Sequence, residues 1–209
     1  HVEALRRIPY VDVVAIVDGV GIEEKAARLG VPAYFSDYKE MIEKCRPECV
    51  HICTPNHTHM EIALYAFSKG VNVVCEKPMA RNAEEAKIMV EAAKKSGLVN
   101  AINFHNRYYP IPYQMRNMVK NGEIGDVFAV QGGYLQDWLQ FDTDFSWKIL
   151  SDKCGKTRAT ADLGSHWIDL AEYVTGQKVK EVFAEFKTIY PTRKQETFEG
   201  VKEVPIDTE

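Results

Sequence analysis

The chain has 209 residues, 45% hydrophobic and 27% charged, a balance that supports one good core or two small ones. Its 26 Lys and Arg against 30 Asp and Glu leave a net charge of -4 with no concentrated basic run, which argues against a nucleic-acid or anionic-membrane binder. No apolar stretch has the length of a membrane span, and the start lacks the apolar core of a signal peptide. The five cysteines are an odd count in a chain too long for a disulfide-stapled miniprotein, so a cytoplasmic protein with reduced, buried thiols is expected.

In chain order, Val11–Asp18 is a β-rich apolar run ending in an acid. Ile22–Leu29 has helical spacing, with Gly30 as its stop. Ala33–Phe35 reads as a short strand, and Ser36 as the cap of a helix over Asp37–Lys44. Cys49–Cys53 is a short buried strand, closed by Thr54-Pro55-Asn56. His59–Ser68 is helical, Val71–Cys75 is a strand buried on both faces, Ala83–Lys95 is strongly helical, and Leu98–Phe104 is strand-like. Strands alternating with helices over short connections imply βαβ units and a parallel sheet with helices on both faces. Beyond Tyr109-Pro110 the texture changes. Gln114–Lys120 and Ala161–Val174 read as helices, while 126–134 and 179–190 alternate like strands of an antiparallel sheet. The boundary is placed near residue 105, giving units of 1–105 and 106–209.

In such sheets ligands bind beyond the carboxyl ends of the strands, so the residues just after each strand carry the functional reading. Asp18 is placed to accept hydrogen bonds from an adenosine ribose, which favours NAD over NADP, although a turn or cap aspartate has the same signature. Thr54-Pro55-Asn56 with His59 offers a helix N-terminus suited to a phosphate or ribose, or simply a capped turn. In Glu76-Lys77-Pro78, proline drives Lys77 out of the α region and aims its amine off the sheet edge, with Glu76 able to hold it or touch a cofactor. The bland alternative is a surface ion pair at a strand end. Cys45, Cys49, His51, Cys53, His57 and His59 invite a zinc reading, but their spacing fits no usual zinc site and the apolar residues between them imply a packed strand; no metal is expected. In Asp162-Leu163-Gly164-Ser165-His166, the acid and the imidazole are four apart on one helical face, an arrangement that orients a general base. Trp147, in an aromatic stretch with Trp138, Phe141 and Phe145, is a further candidate for lining a substrate.

Together these segments resemble the Gfo/Idh/MocA family of nicotinamide-dependent oxidoreductases. The matching pieces are "VDVVAIVD", "VHICTPNHTHMEIALYAFSKGVNVVCEKPMA", "NFHNRYYP" and "TADLGSHWIDLAEYVTG". The resemblance implies a Rossmann-like domain followed by an α+β domain with an open, mostly antiparallel sheet that mediates homodimers or homotetramers. It implies NAD as cofactor, with NADP also used in the family, and a sugar, polyol or cyclitol whose secondary alcohol exchanges hydride. By motif, Lys77, Asp162 and His166 fall on catalytic and substrate positions. Asp18, Thr54, Pro55, Asn56, His59, Glu76, Lys77 and Arg107 fall on cofactor-contacting ones. The family's glycine-rich first loop is not in this sequence, and His1–Arg7 is similar to the helix that follows it. The chain is therefore read as part of a longer protein. Two rival readings are a redox-neutral, NAD-using lyase or glycosidase of the same family and a non-catalytic dinucleotide or sugar sensor.

Overall fold

The computed structural model describes residues 1–208; residue 209, the expected end of the second unit, lies outside the described residues. The chain divides into two compact units. The first is His1–Thr54, Thr58–Cys75 and Glu84–Ala101; the second is Pro55–His57, Glu76–Ala83 and the chain from Ile102 onward. The segments that follow the third and fourth strand runs thus cluster with the later unit, although a single break near residue 105 would assign them to the earlier one.

The first unit begins with α1 (Val2–Leu5), followed by β1 (Ala15–Val17), α2 (Ile22–Leu29), β2 (Ala33–Phe35) and α3 (Tyr38–Cys45). β1 and β2 pair in parallel, with Ala15 opposite Ala33 and Val17 opposite Phe35. α2 and α3 both pack on this pair and bury Ala26 and Ile42. Gly30 ends α2 in the left-handed region (φ 60°), and the Val31 amide returns to the Ala26 carbonyl at 2.9 Å. α3 is capped by Asp37, whose side chain accepts the Lys39 amide at 2.8 Å, one residue later than the expected Ser36 cap.

β3 (Cys49–Ile52), α4 (Asn56–Ser68), β4 (Asn72–Cys75), α5 (Ala83–Ser96) and β5 (Asn100–Ile102) continue the pattern. These strands form a second sheet in the order β3-β4-β5, with β3 and β4 parallel in the register Cys49–Asn72 to Ile52–Cys75. The Rossmann-like parallel pairing is thus carried by two sheets, β1-β2 and β3-β4-β5. Val50, Ile52, Val73 and Cys75 are buried, whereas His51, Asn72 and Val74 are half-buried. The expectation of a strand covered on both faces is corrected, because strand alternation places His51 and Val74 on a less covered side. The same exposure corrects the cysteines: Cys75 and Cys154 are buried, but Cys49 and Cys53 are exposed, and no disulfide forms among the described residues.

The second unit holds the turn His105–Tyr108, α6 (Pro110–Lys120), the turn Trp147–Ile149, α7 (Ser151–Cys154), a wide π-turn over Thr160–Gly164 and α8 (Ser165–Thr175). β6 (Thr192–Thr197) and β7 (Gly200–Pro205) then form an antiparallel hairpin. α6 and α8 pack together, and the His105–Tyr108 turn touches both. The stretches 126–134 and 179–190 carry no strand ladder, contrary to their alternating sequence. Alternation specifies which side chains share a face, but a strand also needs a hydrogen-bonded neighbour, and Phe128 and Phe183 are each 95% exposed. No helix among the described residues is long and apolar enough to cross a membrane.

One close approach inside this unit is exacting. Gly155 closes α7 at φ 85°, and a Cβ there would run into the Arg81 backbone carbonyl. Gly70, at φ 73°, has open space where a Cβ would lie. Thermal unfolding of the full-length protein should therefore show Gly155→Ala costing roughly 1–3 kcal/mol through backbone strain plus the clash, and Gly70→Ala only about 1–2 kcal/mol through strain. Equal losses would show that Arg81 yields freely.

Candidate active site

β4 ends at Cys75, and the next residues, Glu76-Lys77-Pro78, belong to the second unit, with a cis Lys77–Pro78 peptide. Glu76 organises this corner. Its carboxylate accepts the Lys77 amide at 3.1 Å and the Asn103 side-chain amide at 2.6 Å. The Lys77 ammonium donates to Oδ1 of Asp162 at 2.6 Å and to the Asp162 backbone carbonyl at 2.8 Å. Both side chains are nearly closed off, 10% exposed for Lys77 and 13% for Asp162. Lys148, from the Trp147–Ile149 turn, adds a second ammonium 3.2 Å from each carboxylate oxygen of Asp162. Burial alone would raise the Asp162 carboxyl, but the hydrogen bond and charge of Lys77 and the charge of Lys148 outweigh it. The carboxyl is held below its ordinary value and stays ionised.

His166 lies one residue into α8, just past the π-turn, and is 4% exposed. Tyr134 stacks on its ring at 5.5 Å and 19°, and His105 and Phe104 meet it edge-on at 5.2 and 6.0 Å. Burial, the Lys77 charge and the His105 charge push its pKa down to about 4, against the opposite pull of Asp162 and Asp169. The imidazole is neutral at ordinary pH. Its Nδ1 is buried without a hydrogen-bond partner among the described residues, as is Nδ1 of His57. A buried polar atom of this kind is ordinarily satisfied by ordered water, an ion or a polar ligand. The expected pairing in which Asp162 fixes the His166 tautomer is corrected, because Asp162 spends its side chain on the two lysines. The wide turn over Thr160–Gly164 replaces the regular helix on which the four-residue spacing was read, and such turns recur at functional sites.

Arg107 makes a bidentate ion pair with Asp169: Nε donates to Oδ2 at 2.7 Å and Nη2 donates to Oδ1. Its guanidinium also lies over the Tyr173 ring, 5.5 Å from the centroid. Arg107 thus clamps the His105–Tyr108 turn to α8, one turn below His166. Asn56 is 8% exposed and donates to the Cys154 carbonyl at 3.3 Å. The Cys154 thiol is pushed up to about 11 by burial and by the Asp162 charge, and points to the Trp147 carbonyl at 3.6 Å.

The remaining cofactor candidates lie in the first unit, except Pro55, which joins Asn56 in the second. Asp18 follows β1 with its carboxylate about half exposed, held below its ordinary value by the Lys25 ammonium and taking the Gly19 amide at 2.7 Å. Thr54 bonds Thr58 through their hydroxyls at 2.6 Å. His59 is 1% exposed, and its Nε2 donates to the Thr54 carbonyl at 2.8 Å. The ring thereby braces the turn after β3. Trp147 is 40% exposed, and the indole that meets the charged cluster is Trp138, over which Lys148 sits 4.9 Å from the centroid.

No separate role was assigned from the sequence to Lys148, Tyr134, His105 or Asn103. Lys148 and Tyr134 join the site only through the fold, and a lone lysine after a tryptophan carries no pattern. Asn103 and His105 both lie inside "NFHNRYYP", a segment with a readable signal after a strand.

Comparison with known proteins identifies the family. Residues 1–104 match the model of the oxidoreductase family with an NAD-binding Rossmann fold, and residues 113–205 match the GFO/IDH/MocA C-terminal domain. Levoglucosan dehydrogenase of Pseudarthrobacter phenanthrenivorans is 34% identical over 171 residues, which is 81% of this chain and 44% of that protein. An oxidoreductase domain protein from Kribbella flavida superposes with a TM-score of 0.93 at 30% identity, covering 100% of this chain and 58% of that one. A levoglucosan dehydrogenase in complex with NADH and levoglucosan gives a TM-score of 0.83 at 30% identity, over 94% of this chain and 52% of that one. The chain thus spans about half the length of the relatives it matches. On the Lys77 corner, the Asp162–His166 segment and these matches together, the chain belongs to the Gfo/Idh/MocA oxidoreductase family.

Proposed function

We propose that the protein of which this chain is part is an NAD-dependent dehydrogenase acting on a secondary alcohol of a sugar, polyol or cyclitol. The observation that carries this reading is the Lys77 ammonium, anchored on Asp162, beside a neutral, buried His166 whose Nδ1 has no partner among the described residues. The names of the relatives support the substrate class: one acts on levoglucosan, and a solved structure holds NADH with that sugar. Asp18 is the residue that would hold the adenosine ribose, and its negative charge disfavours a 2′-phosphate, so NAD is the preferred cofactor.

When bound, the nicotinamide supplies the hydride acceptor. The chain's own residues manage the proton and the charge on oxygen. As the carbinol C–H bond breaks, the hydroxyl proton goes to a ring nitrogen of His166, and Lys77 donates hydrogen bonds to the oxygen as negative charge builds there. A fixed ammonium in a site shielded from water stabilises that charge with little reorganisation. Glu76 and Asn103 hold the Lys77 backbone, and the Arg107–Asp169 clamp fixes α8 beneath His166.

The test is NADH formation, followed by ultraviolet absorbance, by full-length protein given NAD and a panel of levoglucosan, hexopyranosides and cyclitols. NADH equal to the ketone formed is expected with at least one of them. Substrate consumption without NADH would overturn the reading in favour of redox-neutral chemistry. Lys77→Met and His166→Ala should each lower kcat by roughly 10²–10⁴-fold while NAD affinity, measured by fluorescence titration, changes little. Wild-type turnover in either variant removes the residue from the mechanism.

A pH dependence follows from His166, which is faced by Lys77, His105, Asp162 and Asp169. Its folded value of about 4 lies below the ordinary 6.5, so the folded state binds fewer protons between them. Stability from this group is complete above pH 6.5 and is lost as pH falls toward 4, by roughly 3 kcal/mol at full extent. Chemical denaturation at stepped pH should show that slope, and His166→Asn should flatten it. The acid limb of kcat/KM reports the folded enzyme's base and should have its midpoint at about 4.

A further inference from the structure

The mechanism above uses Lys77, Asp162 and His166 and leaves one charged neighbour without a role. Lys148 sits in the Trp147–Ile149 turn with its Nζ 3.2 Å from both Oδ1 and Oδ2 of Asp162, bridging the carboxylate edge. Lys77 holds Oδ1 of the same carboxylate at 2.6 Å. One negative charge, 13% exposed, therefore faces two ammoniums, the inner one 10% exposed and the outer one 37% exposed. The outer ammonium is also held over Trp138, 4.9 Å from the ring centroid, so its place is set by two contacts.

The arrangement has a consequence for Lys77. To stabilise a substrate oxyanion, Lys77 must give part of its hydrogen bonding to that oxygen. If Lys77 were the only counter-ion, this would leave Asp162 as a buried, uncompensated charge, which is strongly unfavourable. Lys148 keeps Asp162 paired while Lys77 turns away. A surface ion pair of no consequence would not place an ammonium equidistant from both oxygens of a nearly closed carboxylate.

We infer that Lys148 is a positioning residue that supplies Asp162 with a second counter-ion and so frees Lys77 to engage the substrate oxygen. The inference rests on the dehydrogenase reading for its kinetic consequence, but not for its structural one.

Two measurements on the full-length protein separate them. In the first, Lys148→Met, with Lys148→Gln as a second uncharged variant should Met impair folding, is assayed with NAD and whichever panel sugar the wild type oxidises. kcat should fall roughly 10–100-fold while KM stays within about threefold, because the lost interaction is one made in the transition state. Lys148→Arg, which restores the charge, should recover kcat to within about threefold of wild type. In the second, no substrate is needed. Lys77 acylation by isotope-coded acetic anhydride is followed by mass spectrometry. With Lys148 neutralised, Lys77 is the only ammonium left on Asp162 and should react several-fold more slowly, again rescued by Lys148→Arg. Unchanged Lys77 labelling in the uncharged variants overturns the inference, whatever the turnover. A wild type that forms no NADH with any panel sugar, but whose Lys77 labelling slows in those variants, sinks the dehydrogenase reading and leaves the Lys148–Asp162–Lys77 coupling standing.

Discussion

The ion pair between Lys77 and Asp162 is the interaction on which the site depends. Both groups are largely withdrawn from water, and charges in that condition persist only when each answers the other. Lys77 reaches this position because β4 stops at Cys75 and Glu76 ties down the Lys77 amide. Asp162 reaches it because the Thr160–Gly164 segment opens into a wide turn before α8 begins. Residues 85 apart in sequence are thereby joined by one hydrogen bond and one carbonyl contact. His166 then follows four residues after Asp162, at the start of a helix that Arg107 grips through Asp169.

The electrostatic pattern divides labour between charged and neutral groups. Asp162 is held ionised by two lysines, and the imidazole beside them is held neutral by burial and by the charges of Lys77 and His105. In the proposed reaction, placing an ammonium against a neutral ring would separate the group that answers charge on oxygen from the group that takes a proton. The aromatic shell of Tyr134, Phe104 and His105 around His166 is part of the same device, since it excludes the water that would otherwise let the ring ionise.

Much of this was legible in the sequence where local chemistry decides. The β1-to-β5 alternation, the glycine stop after α2 and the helix over Ala83–Ser96 follow from periodicity and capping, and the Glu76-Lys77-Pro78 and Asp162-to-His166 motifs were visible as written. What failed needed tertiary information. The stretches 126–134 and 179–190 alternate like strands yet have no ladder, because alternation cannot name a partner. Asp162 was assigned to His166 from helical spacing, and the π-turn redirected it to Lys77. Lys148 lies 14 residues from Asp162 in a turn with no motif, so nothing short of the folded chain reveals it.

Cys154 shares the neighbourhood of Asp162, yet its sulfur is pointed at a carbonyl and kept protonated by burial and the nearby carboxylate. Only the anionic form of sulfur attacks electrophiles or peroxides at useful rates. Oxidative stress and thiol-directed inhibitors would therefore find a poor target in Cys154, and the surroundings of Asp162 would be spared covalent damage at that sulfur.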